Sequence, residues 1–190
     1  GTQGLASRSG IIPLSSTQDI GGPLGRTVTD IAIVLDAIAG YDPADPQTAA
    51  SVGHIPKSYT DSLQLAGLRG ARIGLLTALF GTDPADAEVA TVVRGAVNQM
   101  KAQGAEVVEV TIPGLNELLL DRLRGFLVLA QDFKFDLNAY LAARPTAPVR
   151  TLEEVLASGK YHPAVETALR NSQGVESRDT KEYLEHVVKR

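Results

Sequence analysis

The sequence predicts an α/β fold: a mixed, partly parallel sheet with one βαβ unit, covered by helices and followed by a helical C-terminal part. Three observations predict it. Two short apolar runs, Ala71–Leu76 and Glu106–Ile112, flank an amphipathic stretch in the middle of the chain. A long leucine-rich segment follows from Leu115 to Arg144, and capped helical segments close the chain. With 190 residues, 44% hydrophobic and 21% charged, there is enough apolar material to bury a core.

Residues 1–26 read as a strand and loop entry, rich in Ser, Gly and Pro and without a helical period. Thr27 with Asp30 then forms a capping-box pattern, an acid three residues after a hydroxyl. Ile31, Val34, Leu35 and Ile38 continue at helical spacing, and Gly40 is expected to end the helix in a left-handed cap. The prolines of Asp42-Pro43-Ala44-Asp45-Pro46 prevent its continuation.

Asp83 and Pro84 predict the next helix start, because a proline in the first turn gives up no needed hydrogen bond. Val89, Val92, Val93, Ala96 and Met100 form its expected buried stripe, closed by Gly104. Strand, helix and strand in this order form a βαβ unit whose strands must run parallel. Residues 27–112 are therefore read as a helix plus βαβ, and 113–190 as mainly helical. Leu115–Arg144 is expected to be one long helix with a break near Gly125. Thr151 with Glu154 is a second capping box, Gln173–Arg178 a flexible linker, and Asp179–Arg190 a helix still running at the last residue.

Composition removes several function classes. Net charge is −4 and the basic residues are scattered, so no nucleic-acid surface is expected. No cysteine is present, which excludes disulfides, a thiol nucleophile and cysteine-ligated metals. No apolar run is long enough to cross a bilayer. His54, His162 and His186 lie in three separate segments without ligand spacing, so no metal and no cofactor is expected. The turn Thr77–Thr82 lacks the glycines of a dinucleotide loop.

Candidates for chemistry are few. Ser15-Ser16 lies near Asp19 and Arg26 but has no histidine beside it and no strand-to-helix elbow, so a turn or cap is the expected role. Asp19 and Arg26 are expected to pair across the Gly21-Gly22-Pro23 turn and pin the loop to the helix start. Lys134, between Phe133 and Phe135, has the aromatic surroundings of a lysine base. Asp132 and Asp136 on either side favour its charged form, so a snorkelling surface lysine is expected.

Gly4-Leu5-Ala6-Ser7-Arg8-Ser9-Gly10-Ile11-Ile12-Pro13-Leu14 resembles the segment directly after the signature of the amidase signature family. Ser15-Ser16-Thr17-Gln18-Asp19, Gly22-Pro23, Arg26-Thr27-Val28 and Leu35 through Asp45 continue the resemblance. Asp132-Phe133-Lys134 with Leu137-Asn138-Ala139-Tyr140-Leu141 is similar to members related to peptide amidases and cyclic-dimer amide hydrolases.

The resemblance implies a single partial domain, the later portion of an amidase domain. It implies hydrolysis of a small linear or cyclic amide by a Ser–cis-Ser–Lys triad, with a glycine-rich turn holding the oxyanion. The family places that triad upstream of the segment matched by Gly4–Pro13, and none of the six lysines lies in a matching context. No catalytic residue is therefore assigned here, and the chain alone is expected to be inactive. By resemblance the later half lines the substrate pocket. Phe126, Phe133 and Tyr140, two helical turns apart, are the substrate-wall candidates, with plain core packing as the alternative. The rival functions are an A-subunit-like piece of a glutamyl-tRNA(Gln) amidotransferase and a non-catalytic binding module. Both ends look cut, the first residue being Gly1 rather than Met. Apolar surface uncovered in this way predicts self-association or a homodimer, and the parent protein is expected to be cytoplasmic.

Overall fold

The computed structural model describes residues 2–188, apart from the side chains at 116, 118 and 120–127. The chain forms two compact units, Gly1–Lys57 with Asn116–Arg190, and Ser58–Leu115.

In the first unit, the Thr27 hydroxyl accepts the Asp30 N–H, and the Asp30 carboxylate accepts the Thr27 N–H in return. This reciprocal box satisfies two donors that a helix start leaves unpaired, and it opens α1, Val28–Ile38. The end differs from the expected glycine stop. Ala39 takes an extended conformation and bridges antiparallel to Ala6, while the Gly40 N–H donates to the Leu5 carbonyl at 3.1 Å. Pairing with an earlier segment satisfies the backbone there, so no left-handed residue is required.

The second unit holds the βαβ motif. Strands β1, Arg72–Leu75, and β2, Glu106–Glu109, run parallel, with Arg72 opposite Glu106 and Leu75 opposite Glu109. The crossover helix is α2, Pro84–Ala102, started by another reciprocal box between Asp83 and Asp86. Its buried residue is Val97, whereas Val89, Val92 and Val93 of the expected stripe stand exposed. A two-stranded sheet is narrower than the apolar face above it, so most of the stripe has nothing to cover it. Val108, Val110 and Ile112 are exposed for the same reason.

The chain then returns to the first unit. Helix α3, Leu115–Ala142, runs through Gly125 without the expected break. Three shorter helices follow: α4, Leu152–Ser158; α5, Glu166–Gln173; and α6, Lys181–Val188. Leu137 and Leu141 of α3 and the fully buried Leu152 of α4 form the core, with Phe133, Val149, Val155 and Leu169 packed around them. The Leu152 N–H donates to Asn138 Oδ1 at 2.8 Å, which sets α4 against α3. Thr151 caps α4 as expected, but the Glu154 carboxylate returns to the Arg150 N–H rather than to Thr151. Gly159, at φ 61°, ends α4 in the left-handed conformation that an L side chain resists.

Candidate functional site

Two carboxylates one turn apart on α3 organise the first unit. Asp132 is fully buried. Its Oδ2 accepts the Ser15 hydroxyl at 2.5 Å and the Thr17 hydroxyl at 2.8 Å. Its Oδ1 accepts the Tyr183 hydroxyl at 2.7 Å and Arg178 Nη1 at 3.4 Å. Asp136 accepts the Ser16 N–H at 2.6 Å and Arg178 Nη1 at 2.8 Å. Spacing of i and i+4 places both acids on one helical face, where they bind the Ser15–Thr17 turn and the entry to α6 together.

Burial pushes the Asp132 carboxyl upward, but the hydrogen bonds from Ser15, Tyr183, Thr17 and Arg178 outweigh it and leave it below the ordinary carboxylate range. Tyr183 is pushed up to about 12, first by burial and then by its bond to Asp132. Ser15 is itself fully buried, and its hydroxyl anchors the loop to Asp132. Lys134 is equally committed: its ammonium donates to the carbonyls of Gln173 and Val175 at 3.0 and 2.8 Å. Together with Arg178, these bonds hold the 173–178 segment, which the sequence suggested would be a flexible linker.

Arg8 and Asp45 make the second anchor. Arg8 Nη2 donates to Asp45 Oδ1 at 2.7 Å and Nε to Oδ2 at 2.9 Å, the two-pronged geometry of a guanidinium on a carboxylate. The Arg8 backbone N–H adds a third bond to Asp45, and Nη1 donates to the Ser16 carbonyl at 2.6 Å. Arg8 holds the Asp45 carboxyl down to about 2.

Asp19 accepts the backbone N–H groups of Leu14 and Ser15 at 2.8 and 3.0 Å. Among the described residues no ion pair joins it to Arg26, which is exposed. Two nearby N–H donors in the same turn serve the carboxylate without ordering a long side chain. The pairing expected from sequence is thus replaced by a local cap.

A cavity of about 410 Å³ opens between the Gly10–Leu14 loop and the end of α3. Tyr140 and Arg144 line it, and the Tyr140 hydroxyl donates to the Gly10 carbonyl at 3.0 Å. Phe133 packs in the core, and the Phe126 side chain lies outside the described residues. Of the two wall candidates with described side chains, Tyr140 lines the cavity while also packing against the core, and Phe133 does not line it. His162 caps a short turn through Nδ1, and His186 lies 3.5 Å from Gln131 Oε1. Among the described residues no three His, Cys, Asp or Glu side chains gather as a metal site, and no helix is long and apolar enough to cross a membrane.

The Amidase family model matches residues 1–189. The chain belongs to the amidase family. A probable amidase of Arabidopsis thaliana is 35% identical to this amidase-family chain over 157 residues, covering 81% of the chain and 29% of the relative. The A-type component of the glutamyl-tRNA(Gln) amidotransferase of Acaryochloris marina is 46% identical over 112 residues, covering 59% of the chain and 22% of the relative. The peptide amidase of Stenotrophomonas maltophilia superposes with a TM-score of 0.79 at 33% identity, over 96% of this chain and 37% of that one. An amidase family protein of Bacillus anthracis superposes at 0.73 with 31% identity, over 98% of this chain and 36% of its own. The fold is that of the amidase-signature proteins. The chain spans about a quarter of the length of the curated relatives it matches, and just over a third of the solved ones.

Asp132 and Asp136 as joint anchors were legible in part, since their spacing of four is a same-face signal. The Arg8–Asp45 pair had no local signal, its members lying 37 positions apart.

Proposed function

We propose that this chain is the later part of an amide hydrolase that cleaves a carbon–nitrogen bond in a small linear or cyclic amide. In this reading a Ser–cis-Ser–Lys triad does the chemistry. A lysine kept neutral takes a proton through the bridging serine, the nucleophilic serine attacks the carbonyl carbon, and backbone N–H groups hold the oxyanion. The carbon–nitrogen bond breaks and the amine leaves with a proton, and water then attacks the acyl-serine and releases the acid. The triad belongs to the segment before Gly4–Pro13, and the chain alone does not turn over substrate.

One observation carries the second half of this reading. Ser15, of the serine pair in the matched segment, is buried with its hydroxyl on Asp132. The first half is supported by likeness to a peptide amidase over nearly the whole chain. The test is ammonia release from peptide amides, simple linear amides and cyclic amides, measured for the chain alone and for a fusion that supplies the preceding segment of an amidase. Turnover is expected from the fusion. Turnover by the chain alone that Ser15→Ala abolishes would refute the proposal.

The identity to the A-type components of amidotransferases favours a second reading, a piece of a protein that supplies ammonia for a charged tRNA and requires partner subunits. Glutamine as the preferred amide would select it. A non-catalytic binding module is the third reading, and a fusion inert on every amide would favour it. We also propose self-association: Leu24 and Leu65 stand fully exposed, and Val28 and Val92 largely so. A strictly monomeric mass by light scattering at high concentration would count against it. The reading includes a cytoplasmic setting, which fractionation of the source cells would test.

A further inference from the structure

Four charged side chains line the cavity beside α3: Arg8, Asp19, Asp45 and Arg144. Arg8 and Asp45 close on each other, and Asp19 is engaged by two backbone N–H groups. Arg144 is different. Its guanidinium carbon lies over the Tyr140 ring, 3.3 Å from the centroid, and Nη1 donates to the Tyr140 carbonyl at 2.9 Å. No carboxylate among the described residues forms an ion pair with it, so the Nε and Nη2 edge of the fork is left for a ligand. The platform beneath is fixed, because the Tyr140 hydroxyl is held by the Gly10 carbonyl. A guanidinium stacked on one face and bonded at one corner loses little freedom on accepting a planar two-oxygen acceptor. The other wall is apolar, with Ile11, Ile12, Leu14 and Ile20 all about half exposed toward it.

We propose that this cavity binds a small aliphatic carboxylate, its two oxygens on the open edge of Arg144 and its hydrocarbon chain along Ile11 and Ile12. The inference rests on the amide-hydrolase reading in one respect: the acid is the class of product that amide hydrolysis leaves. Water's oxygen joins the acyl carbon, the carbon–nitrogen bond breaks, and the amine departs with a proton. The site thus retains or senses the acid half of the reaction.

The probes are pentanoate, pentanamide and pentylamine, titrated into the 190-residue chain and followed by NMR chemical shifts, with circular dichroism to check the fold. Pentanoate is expected to bind most tightly, and Arg144→Gln to weaken it roughly tenfold while leaving pentanamide unchanged. Arg144→Lys, which keeps the charge and loses the fork, should fall between the two, and it stands in if the glutamine variant does not fold. The site is overturned by an absence of pentanoate shifts, by equal binding of acid and amide, or by folded Arg144 variants that bind pentanoate as the wild type does. Amide turnover by the fusion is a separate readout, so either idea can fail without the other.

Discussion

The Ser15 hydroxyl donates to the buried carboxylate of Asp132 across 117 positions of sequence, at 2.5 Å. The same carboxylate holds Thr17, Tyr183 and Arg178, so one side chain on α3 ties the N-terminal loop to the C-terminal helix α6. The serine pair, whose sequence context reads as a turn or cap, is held here by Asp132 and Asp136.

Asp132→Ala should therefore be among the most damaging single changes. Removing the acceptor leaves Arg178 and three hydroxyls without it, and stability should fall by about 3–5 kcal/mol. Asp132→Asn keeps the shape but offers one acceptor oxygen in place of two, and should cost about 2 kcal/mol. Urea denaturation of the two variants checks both the sizes and the order. Equal, small losses would show that the cluster is not an anchor.

Acid should weaken the fold through the Arg8–Asp45 pair. Folding lowers the Asp45 carboxyl from the usual 3.8 to about 2, so its contribution is complete above the unfolded value and is lost as pH falls through this window. The lowered Asp132 acts in the same direction. The urea midpoint should drop between about pH 4 and pH 2, and Asp45→Asn should reduce that slope, with a lower midpoint at neutral pH.

Alkali should act through Tyr183. Its hydroxyl, raised to about 12 by burial and by Asp132, stays protonated after an ordinary tyrosine has ionised. The folded value exceeds the unfolded one, so this contribution is intact below about pH 10 and is lost as pH rises toward the folded value. Tyrosinate absorbance should show a late-ionising phase, and Tyr183→Phe should remove it.

Two packing and capping changes calibrate the rest. Leu152→Ala empties a fully buried position between α3 and α4 and should cost about 2–5 kcal/mol. Thr27→Ala removes one arm of the α1 capping box and should cost about 1 kcal/mol. Thermal melts of the two variants should preserve this order.

Local signals in the sequence determined the local structure. The hydroxyl and acid at positions 27 and 30 marked the start of α1, Asp83-Pro84 marked the start of α2, and alternating apolar runs around an amphipathic helix required β1 and β2 to be parallel. The motif residues from Gly4 to Asp45 placed the chain in its family. These features act within a few residues of each other, or through a linear pattern, so they can be read without coordinates. The tertiary structure alone decided which apolar stripe is covered, because that depends on how many strands lie beneath α2. It also decided the polar partnerships between segments far apart in sequence: Arg8 found Asp45, and Asp132 gathered Ser15, Thr17, Arg178 and Tyr183. A hydrogen bond is formed where geometry brings donor to acceptor, and across such sequence separations only the packed chain provides that geometry.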